Sequence, residues 1–355
     1  MSMPRIAVPL AFAMLTAIPT PVYPQQGAGL AAQATSTRSG QAASTRSGQA
    51  ASTRSGQAYP TRPIRLVIPY SPGGASDNIA RIVMPRLGEA LGQTVVIDNR
   101  PGGAGSLGRE LVVRAAPDGY TLLSTDAPHA INVHLLRKLP YDSIKDFTMI
   151  TTTATGSMIM IVHPGFPART VKELVAIARA QPGKLNFGSG GTGAITHMTG
   201  ELFKLAANVD IVHVPYKSIA PAVTDLIGGQ IPIAFPGLAT VGGHIRAGRV
   251  RLLAVAAKQR SPAFPDAPTF EEAGVPGVIA ANWYGIMGPA KLPRTIVNRL
   301  NAELHKAVRM PDVQERFAAS GIETLLNTPE EFQAMLESET ARWGTVVKAA
   351  GIKPE

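Results

Sequence analysis

Short apolar runs alternate with segments of helical spacing along most of this chain, and that alternation constrains the fold more than any other feature. The run Ile64–Pro69 predicts a buried strand, and the apolar residues of Ser76–Leu91 recur at the spacing of one helix face. Strands follow at Thr94–Asp98 and Tyr120–Ser124, with a helix over Leu107–Ala115 between them. Strands that alternate with helices predict βαβ units in a parallel sheet.

The same alternation resumes further along the chain. It begins again with the strand Met158–Val162 and the helix Val171–Ala180, and it ends with the strand Leu252–Ala256. Two amphipathic helices, Thr295–Val308 and Pro329–Ala350, come last. The sequence therefore predicts an α/β protein with two lobes. In open α/β sheets, ligands bind beyond the carboxyl ends of the strands, so we expect function in the loops that leave the strands.

The first 58 residues predict an export signal and a linker. Met1–Arg5 is short and basic, and Ile6–Ile18 is apolar but shorter than the about 20 residues of a membrane-spanning helix. We therefore assign residues 1–34 to a secretory signal peptide and expect the mature protein in the periplasm. Residues 35–58 repeat the unit STRSGQAA, which is too polar to bury an apolar face, and they predict a flexible linker.

Composition and motifs exclude several classes of function. The formal net charge is +10, but no block of Lys or Arg is interleaved with aromatic residues, so we expect no nucleic-acid partner. The chain has no cysteine, which excludes disulfides and thiolate chemistry. It also has neither a G-x-S-x-G elbow nor an H-E-x-x-H motif. We therefore expect no metal, no cofactor and no catalytic activity.

The loop after the first strand has the features of an anion site. Gly73 and Gly74 let the backbone approach a ligand closely. Ser76 and Asp77 open the next helix, whose first N–H groups favour an anion. Asp77 itself is a poor anion contact, and the sequence leaves open whether it caps the helix or lines a site.

A G-x-G-x-x-G pattern suggests a different function, dinucleotide binding. Gly103, Gly105 and Gly108 form the pattern, and Asp126 lies just past the next predicted strand, which is a partial match to the NAD-binding fingerprint. The tight turn that this fingerprint needs directly after the strand is missing. A second copy within residues 187–193 lacks the acidic residue. An NAD-dependent oxidoreductase therefore stays the alternative function.

Hydroxyl-bearing residues surround the second glycine pattern. Ser189, Thr192 and Thr196, together with free backbone N–H groups, predict a loop that wraps a carboxylate. We interpret the nearby His197 and His213 as structural residues.

Long stretches of the chain resemble one known family. They include PYSPGGASDNIAR (69–81), GQTVVIDNRPGGAGSLG (92–108), GKLNFGSGGTGAITHMTGELF (183–203) and VHVPYKSIAPAVTDLIGGQIPIAF (212–235). These stretches resemble the substrate-binding proteins of tripartite tricarboxylate transporters, the Bug or TctC family. The resemblance runs from about Tyr59 to the C-terminus, and Ser218 departs from the glycine that is common in the family.

The resemblance implies a type II periplasmic binding-protein fold, in which two Rossmann-like lobes are joined by a hinge of crossing strands. It implies a first lobe of residues 59–126 and 251–355 and a second lobe of residues 127–250. It also implies a monomeric receptor that closes around a small carboxylate, such as a di- or tricarboxylate, an acidic amino acid or an aromatic acid. Membrane permease subunits would then receive the ligand. An orphan sensor that serves a signalling partner is a further alternative.

Site residues carried over from the resemblance come from loops of both lobes. They are Tyr70, Ser71, Pro72, Gly73, Gly74, Ala75 and Asp77; Thr125, Asp126 and His129; Ser189, Gly190, Gly191, Thr192, Gly193 and Thr196; and Lys217, Phe235 and Pro236. For Lys217 the sequence leaves a ligand contact and a solvent-exposed position equally open. No motif specifies which acid is bound.

Overall fold

The computed structural model describes residues 59–354, and the predicted signal peptide and repeat linker lie outside these residues. Strands in the described part form two sheets. They are β1 (Ile64–Ile68), β2 (Val95–Asn99), β3 (Thr121–Asp126), β4 (Phe147–Ser157), β5 (Ile159–Val162), β6 (Asn186–Ser189), β7 (Val212–Pro215), β8 (Ile233–Ala234), β9 (Arg251–Val255), β10 (Ala281–Pro289) and β11 (Glu323–Thr324).

Helices connect most of these strands. They are α1 (Ala75–Leu91), α2 (Ser106–Val113), α3 (Pro128–Ile131), α4 (Val171–Ala180), α5 (Ile195–Ala207), α6 (Ile219–Ile227), α7 (Leu238–Arg246), α8 (Arg294–Val308), α9 (Pro311–Ala319) and α10 (Pro329–Ala349). The predicted start of α10 is confirmed, because Thr328 and Glu331 form a capping box there. Within residues 59–354, no helix has the length and apolar character that crossing a membrane requires.

Three neighbouring strands at one end of each sheet are parallel, as the βαβ pattern predicts. The first sheet has six strands in the order β11-β4-β10-β3-β1-β2, and β1 is parallel to β2 and to β3. The second sheet has five strands in the order β7-β6-β8-β5-β9, and β6 is parallel to β7 and to β8. Strands β5, β9 and β10 pair antiparallel to their neighbours. The prediction of an α/β protein with two lobes is confirmed.

The strand pairing differs from the lobe boundaries expected at residues 126 and 250. Strand β4 belongs to the first sheet and β9 to the second, so the chain crosses over at Met158 and returns at about Ala280. At the crossing, the Met158 N–H donates to Ala280 O at 2.9 Å, and the Ala256 N–H donates to Met158 O at 2.8 Å. The Ala280 N–H donates to Ala256 O at 2.9 Å, so three backbone segments are bonded together between the two sheets.

The two faces of the first sheet belong to different cores. On one face, Leu66 packs in a cluster with Leu87 of α1 and Leu300 of α8, and all three side chains are fully buried. On the other face, Phe332 and Trp343 of α10 belong to a cluster that extends into the second lobe. The side of the molecule that α10 covers is therefore filled with apolar side chains. This arrangement leaves the loops at the carboxyl ends of the strands to form any site between the lobes.

Candidate functional site

The loop between β1 and α1 presents an exposed glycine bend, Ser71–Ala75, at the carboxyl end of the strand. Buried Asp77 holds this bend, because its carboxylate accepts from the Gly73 N–H at 2.9 Å and from Arg81 Nε at 2.8 Å. The Asn99 amide donates to the same carboxylate at 3.1 Å. Burial disfavours the ionised form, but these hydrogen bonds outweigh burial and lower the pKa of Asp77. Asp77 therefore fixes the shape of the bend from within the lobe.

A buried ion pair adjoins the start of this bend. The Tyr70 hydroxyl donates to Asp126 Oδ1 at 2.7 Å and accepts from Arg109 Nη2 at 3.0 Å. Arg109 Nη2 lies 3.4 Å from the same carboxylate oxygen, and the two charged side chains are 1% and 7% exposed. Burial raises the pKa of Asp126, and Arg109 opposes that shift. Tyr70 and Asp126, both predicted site residues, thus have their polar atoms engaged inside the first lobe.

Arg109 is the residue of this region that sequence reasoning missed. Its side chain lies on the buried face of α2, where Gly108 and Val112 are also buried. Its guanidinium also donates to Ala104 O at 3.0 Å, so it joins the loop before α2 to Tyr70. A charged residue in the apolar stripe of a short helix was the signal that could have revealed it, because such a charge requires a partner.

Thr125 in β3 and His129 in α3 carry buried polar atoms without partners. Among the described residues, neither Thr125 Oγ1 nor His129 Nδ1 has a hydrogen-bond partner. His129 Nε2 lies 2.7 Å from Ser143 O, which makes Nε2 the protonated nitrogen because a carbonyl only accepts. Burial, followed by the charge of Arg109, lowers the pKa of His129 to about 3. His129 is therefore a neutral imidazole that retains a free acceptor.

The loop after β6 differs from the sequence-based expectation, because its hydroxyls are engaged within the loop. A hydrogen bond of 2.6 Å joins Ser189 Oγ and His213 Nε2, and the Gly191 N–H donates to Ser189 Oγ at 3.1 Å. Thr196 Oγ1 accepts from the Gly190 N–H at 2.8 Å. The hydroxyl groups of Ser189 and Thr196 therefore form hydrogen bonds within the protein that fix the shape of the loop.

Two glycines let this loop turn outward between those anchors. Gly191 and Gly193 have φ values of +113° and +78°, a region that other residues rarely adopt. The Gly193 N–H donates to His197 Nδ1 at 3.3 Å. Thr192 is exposed, and no described residue accepts a hydrogen bond from its N–H. Thr192 is thus the part of the loop that remains available to a ligand.

Lys217 lies beside this loop on the segment that follows β7. It is exposed, and the neighbouring backbone touches the glycine loop. A Cβ atom on Gly190 would lie 3.2 Å from Ile219 N, and one on Gly191 would lie 3.1 Å from Tyr216 O. Lys217 therefore stands next to the loop, where an ammonium group can attract an anion.

Phe235 is a core residue in this structure, which corrects its assignment to the ligand surface. Its ring is fully buried, with its centroid 5.5 Å from the Phe187 ring and 5.7 Å from the Phe203 ring. Pro236 is buried as well, and its carbonyl accepts from the Ile159 N–H at 2.9 Å. Because β8 ends just before these residues, the apolar interior continues past the strand and takes up the Phe235 ring.

Asn132, which follows α3, connects the loops of the two lobes. Its amide donates to Ala104 O at 2.9 Å in the first lobe. A Cβ atom on Gly193 would lie 3.2 Å from Asn132 Oδ1 and 2.8 Å from Leu135 Cδ1. The glycine loop of the second lobe therefore contacts the segment after β3. Asn132 thus links the loop before α2 in the first lobe to the glycine loop of the second.

Neither the surface grooves nor the acidic and histidine side chains of the described residues indicate a different site. A groove of about 640 Å3 lies between α4, α7 and β9, and another of about 690 Å3 lies along α1 and β2. Neither groove is lined by a predicted site residue. Within residues 59–354, no three His, Asp or Glu side chains are grouped as a metal site requires.

Comparison with known proteins identifies the family. Residues 79–352 match the model of the tripartite tricarboxylate transporter family receptor, TctC. The chain belongs to this family. The resemblance inferred from the sequence is thereby confirmed, and the chain is a TctC-family solute-binding receptor.

Solved structures of other TctC-family proteins share this fold. The periplasmic binding protein BugD is 32% identical and superposes with a TM-score of 0.75, over 84% of this chain and 100% of BugD. R. palustris Rpa4515, solved with adipate, is 34% identical with a TM-score of 0.78, over 84% of this chain and 100% of the other. MatC from Rhodopseudomonas palustris, solved with malate, is 30% identical with a TM-score of 0.73, over 81% of this chain and 100% of MatC. The periplasmic binding-protein architecture predicted from the sequence is confirmed.

Proposed function

We propose that this receptor captures a small organic carboxylate between its lobes in the periplasm, passes it to permease subunits, and changes no covalent bond. The carboxylate is a di- or tricarboxylate, an acidic amino acid or an aromatic acid. Its binding groups are main-chain amides of the two glycine loops, supplemented by the Thr192 hydroxyl and the Lys217 ammonium group.

One observation carries this proposal: side chains hold the loops in shape, and exposed backbone amides are left to bind the ligand. Asp77 in the first lobe and Ser189 and Thr196 in the second hold their loops through internal hydrogen bonds. These bonds fix the backbone before any ligand arrives, which reduces the entropy lost on binding. The exposed backbone of Ser71–Ala75 and Thr192 then meets an anion without rearrangement.

The chemistry of the relatives agrees with this choice of ligand. Rpa4515 was solved with adipate and MatC with malate, and both molecules are dicarboxylates. Anionic ligands also suit the excess of basic over acidic residues in the chain, because a positive field raises the encounter rate.

The alternative, an NAD-dependent oxidoreductase, is disfavoured because the residues that would bind NAD are buried or occupied by packing within the lobe. Asp126 would have to accept hydrogen bonds from a ribose, but it is 5% exposed and already bonded to Tyr70 and Arg109. A Cβ atom on Gly108 would lie 2.9 Å from Pro69 Cα, so this glycine is required for packing between the first two loops.

Thermal unfolding of the mature protein with a panel of acids tests the proposal. The panel contains adipate, malate, citrate, glutamate and benzoate, with NAD and the uncharged diamide of adipic acid as controls. A ligand that binds only the folded state stabilises it by about 2.7 kcal/mol at 100 times its Kd. We expect at least one acid to raise Tm by several degrees and neither control to do so.

Stabilisation by NAD and by none of the acids would instead support the oxidoreductase. Equal stabilisation by adipate and its diamide would show that the carboxylate charge is not recognised. Transport is tested separately, by uptake of the bound acid in the source bacterium with and without this gene. If uptake is unchanged while a transcriptional response to the acid is lost, the receptor serves a sensor instead of a permease.

A further inference from the structure

Two histidine rings stack directly beneath the glycine loop of the second lobe. The centroids of His197 on α5 and His213 on β7 lie 3.8 Å apart, and their planes differ by 19°. The Phe187 ring continues the stack, with a centroid 6.5 Å from that of His197 and 5.2 Å from that of His213. His197 is 3% exposed, so its ring is shielded from solvent.

Each imidazole holds one end of the loop. His213 Nε2 is joined to Ser189 Oγ at 2.6 Å, and that oxygen accepts from the Gly191 N–H at 3.1 Å. His197 Nδ1 accepts from the Gly193 N–H at 3.3 Å. The anchored amides therefore flank Thr192, the one loop residue whose N–H has no acceptor among the described residues.

The hydrogen bond from the Gly193 N–H requires the His197 ring to be neutral. His197 Nδ1 can accept from Gly193 only when it carries no proton, which leaves the proton on Nε2, 3.7 Å from Glu201 Oε1. Burial, followed by His197, lowers the pKa of His213 to about 3. Lys204 acts in the same direction and Glu201 opposes it, and these are the ionisable groups that surround the pair.

We propose that His197 and His213 are positioning residues for ligand binding: as a stacked neutral pair they fix both ends of the loop and so set the direction of the Thr192 N–H. This inference deepens the proposed function and rests on it. The proposed role of both rings is to hold the loop and not to contact the ligand. The sequence suggested that both histidines are structural, and this proposal makes that structural role a determinant of the affinity for the ligand.

Three variants separate the hydrogen bond from the stacking. His213→Gln retains a polar group at the position of Nε2, whereas His213→Phe retains the ring stack and loses the bond to Ser189. Ser189→Ala removes the other partner of the same bond. His163→Phe is the control. His163 accepts a hydrogen bond from the Gly165 N–H just after β5. That end of β5 pairs with the start of β8 and lies away from the carboxyl ends of β6 and β7.

Affinity for adipate and malate is measured by calorimetry for each variant. One neutral hydrogen bond contributes about 1 kcal/mol, so His213→Phe and Ser189→Ala are each expected to weaken binding by roughly five- to tenfold. The double variant is expected to bind as weakly as either single one, because both substitutions break the same bond. His213→Gln is expected to restore most of the loss, and the control to match the wild type.

Amide exchange of Gly191 and Gly193 in the free protein, followed by NMR, gives a readout that needs no ligand. His213→Phe is expected to speed exchange at Gly191, and His197→Phe to speed exchange at Gly193, each by about the same factor as the loss of affinity. If the wild type binds none of the acids but exchange responds in this way, the two histidines do hold the loop and it is the proposed carboxylate ligand that is wrong. If exchange and affinity are unchanged in His213→Phe, or if the Ser189 and His213 effects simply add, the positioning role is overturned.

Discussion

Replacing Arg109 with methionine should destabilise the protein in a way that acid partly reverses. Methionine keeps much of the volume but removes bonds to Ala104 O at 3.0 Å and to the Tyr70 hydroxyl at 3.0 Å, as well as the contact with Asp126 at 3.4 Å. The larger effect is that Asp126 remains buried without its counter-charge. Breaking a buried ion pair in this way costs about 3–5 kcal/mol, and we expect the free energy of unfolding to fall by that amount at pH 7.5.

The sign of the pH dependence follows from Asp126. Without Arg109, burial raises the pKa of Asp126 further above the unfolded value of about 3.9, so the folded state binds the proton more tightly than the unfolded state. The stability of the variant then decreases as pH rises from about 3.9 through the folded pKa. Relative to the wild type, lowering the pH from 7.5 to 5.0 should restore about 1–3 kcal/mol, at up to 1.4 kcal/mol per pH unit.

Urea unfolding followed by circular dichroism at the two pH values provides the measurement. Arg251→Met is the matched control, because the Arg251 guanidinium donates to three carbonyl oxygens and to no carboxylate: those of Pro164, Phe166 and Ala168. Its loss of stability should be the same at both pH values. The reasoning is refuted if Arg109→Met loses less than about 1 kcal/mol, or if its loss is as independent of pH as that of the control.

Three further predictions concern glycines and a helix cap. Gly190→Val should abolish acid binding in calorimetry while the protein still unfolds cooperatively, because the valine side chain would displace the loop from α6. The control Gly243→Ala should bind normally, because a Cβ atom there meets nothing within 4 Å. Gly200→Ala should lower Tm, because the added Cβ atom would overlap the fully buried Phe187 ring. Overpacking of this kind costs about 1–3 kcal/mol. An unchanged Tm would show that the ring can move. Thr328→Ala should cost about 1 kcal/mol in urea unfolding by removing the cap of α10, and Thr328→Ser should restore it.

Local patterns predicted the elements whose formation depends on local sequence. Helix α4 begins and ends where the spacing predicts, and α1 begins one residue earlier than predicted. Strands β4 and β10 were not predicted. The segment Phe147–Ser157 is rich in threonine and Ala281–Pro289 contains two glycines, and each forms a strand because it pairs with the other, more than 120 residues away. The apolar run of β9 predicted a strand correctly but held no information about which sheet it would join.

The candidate site shows the same limit. Glycine content and position located both loops, because a strand end followed by glycine and a helix is a local pattern. Whether a hydroxyl is free could not be predicted, since the partner of Ser189 is His213, on another strand. Phe235 follows a strand, as the other predicted site residues do, but its surroundings come from Phe187 and Phe203.

The single crossing at Met158 and the single return near Ala280 also affect the order of folding. Every strand of the second sheet precedes β10, which lies in the middle of the first sheet between β3 and β4. An exported chain that emerges N-terminus first therefore holds a complete inserted lobe while the lobe that hosts it still has a gap in its sheet. The two unpaired strand edges of β3 and β4 are exposed during that interval, which is when this protein is most open to wrong pairing or to a chaperone.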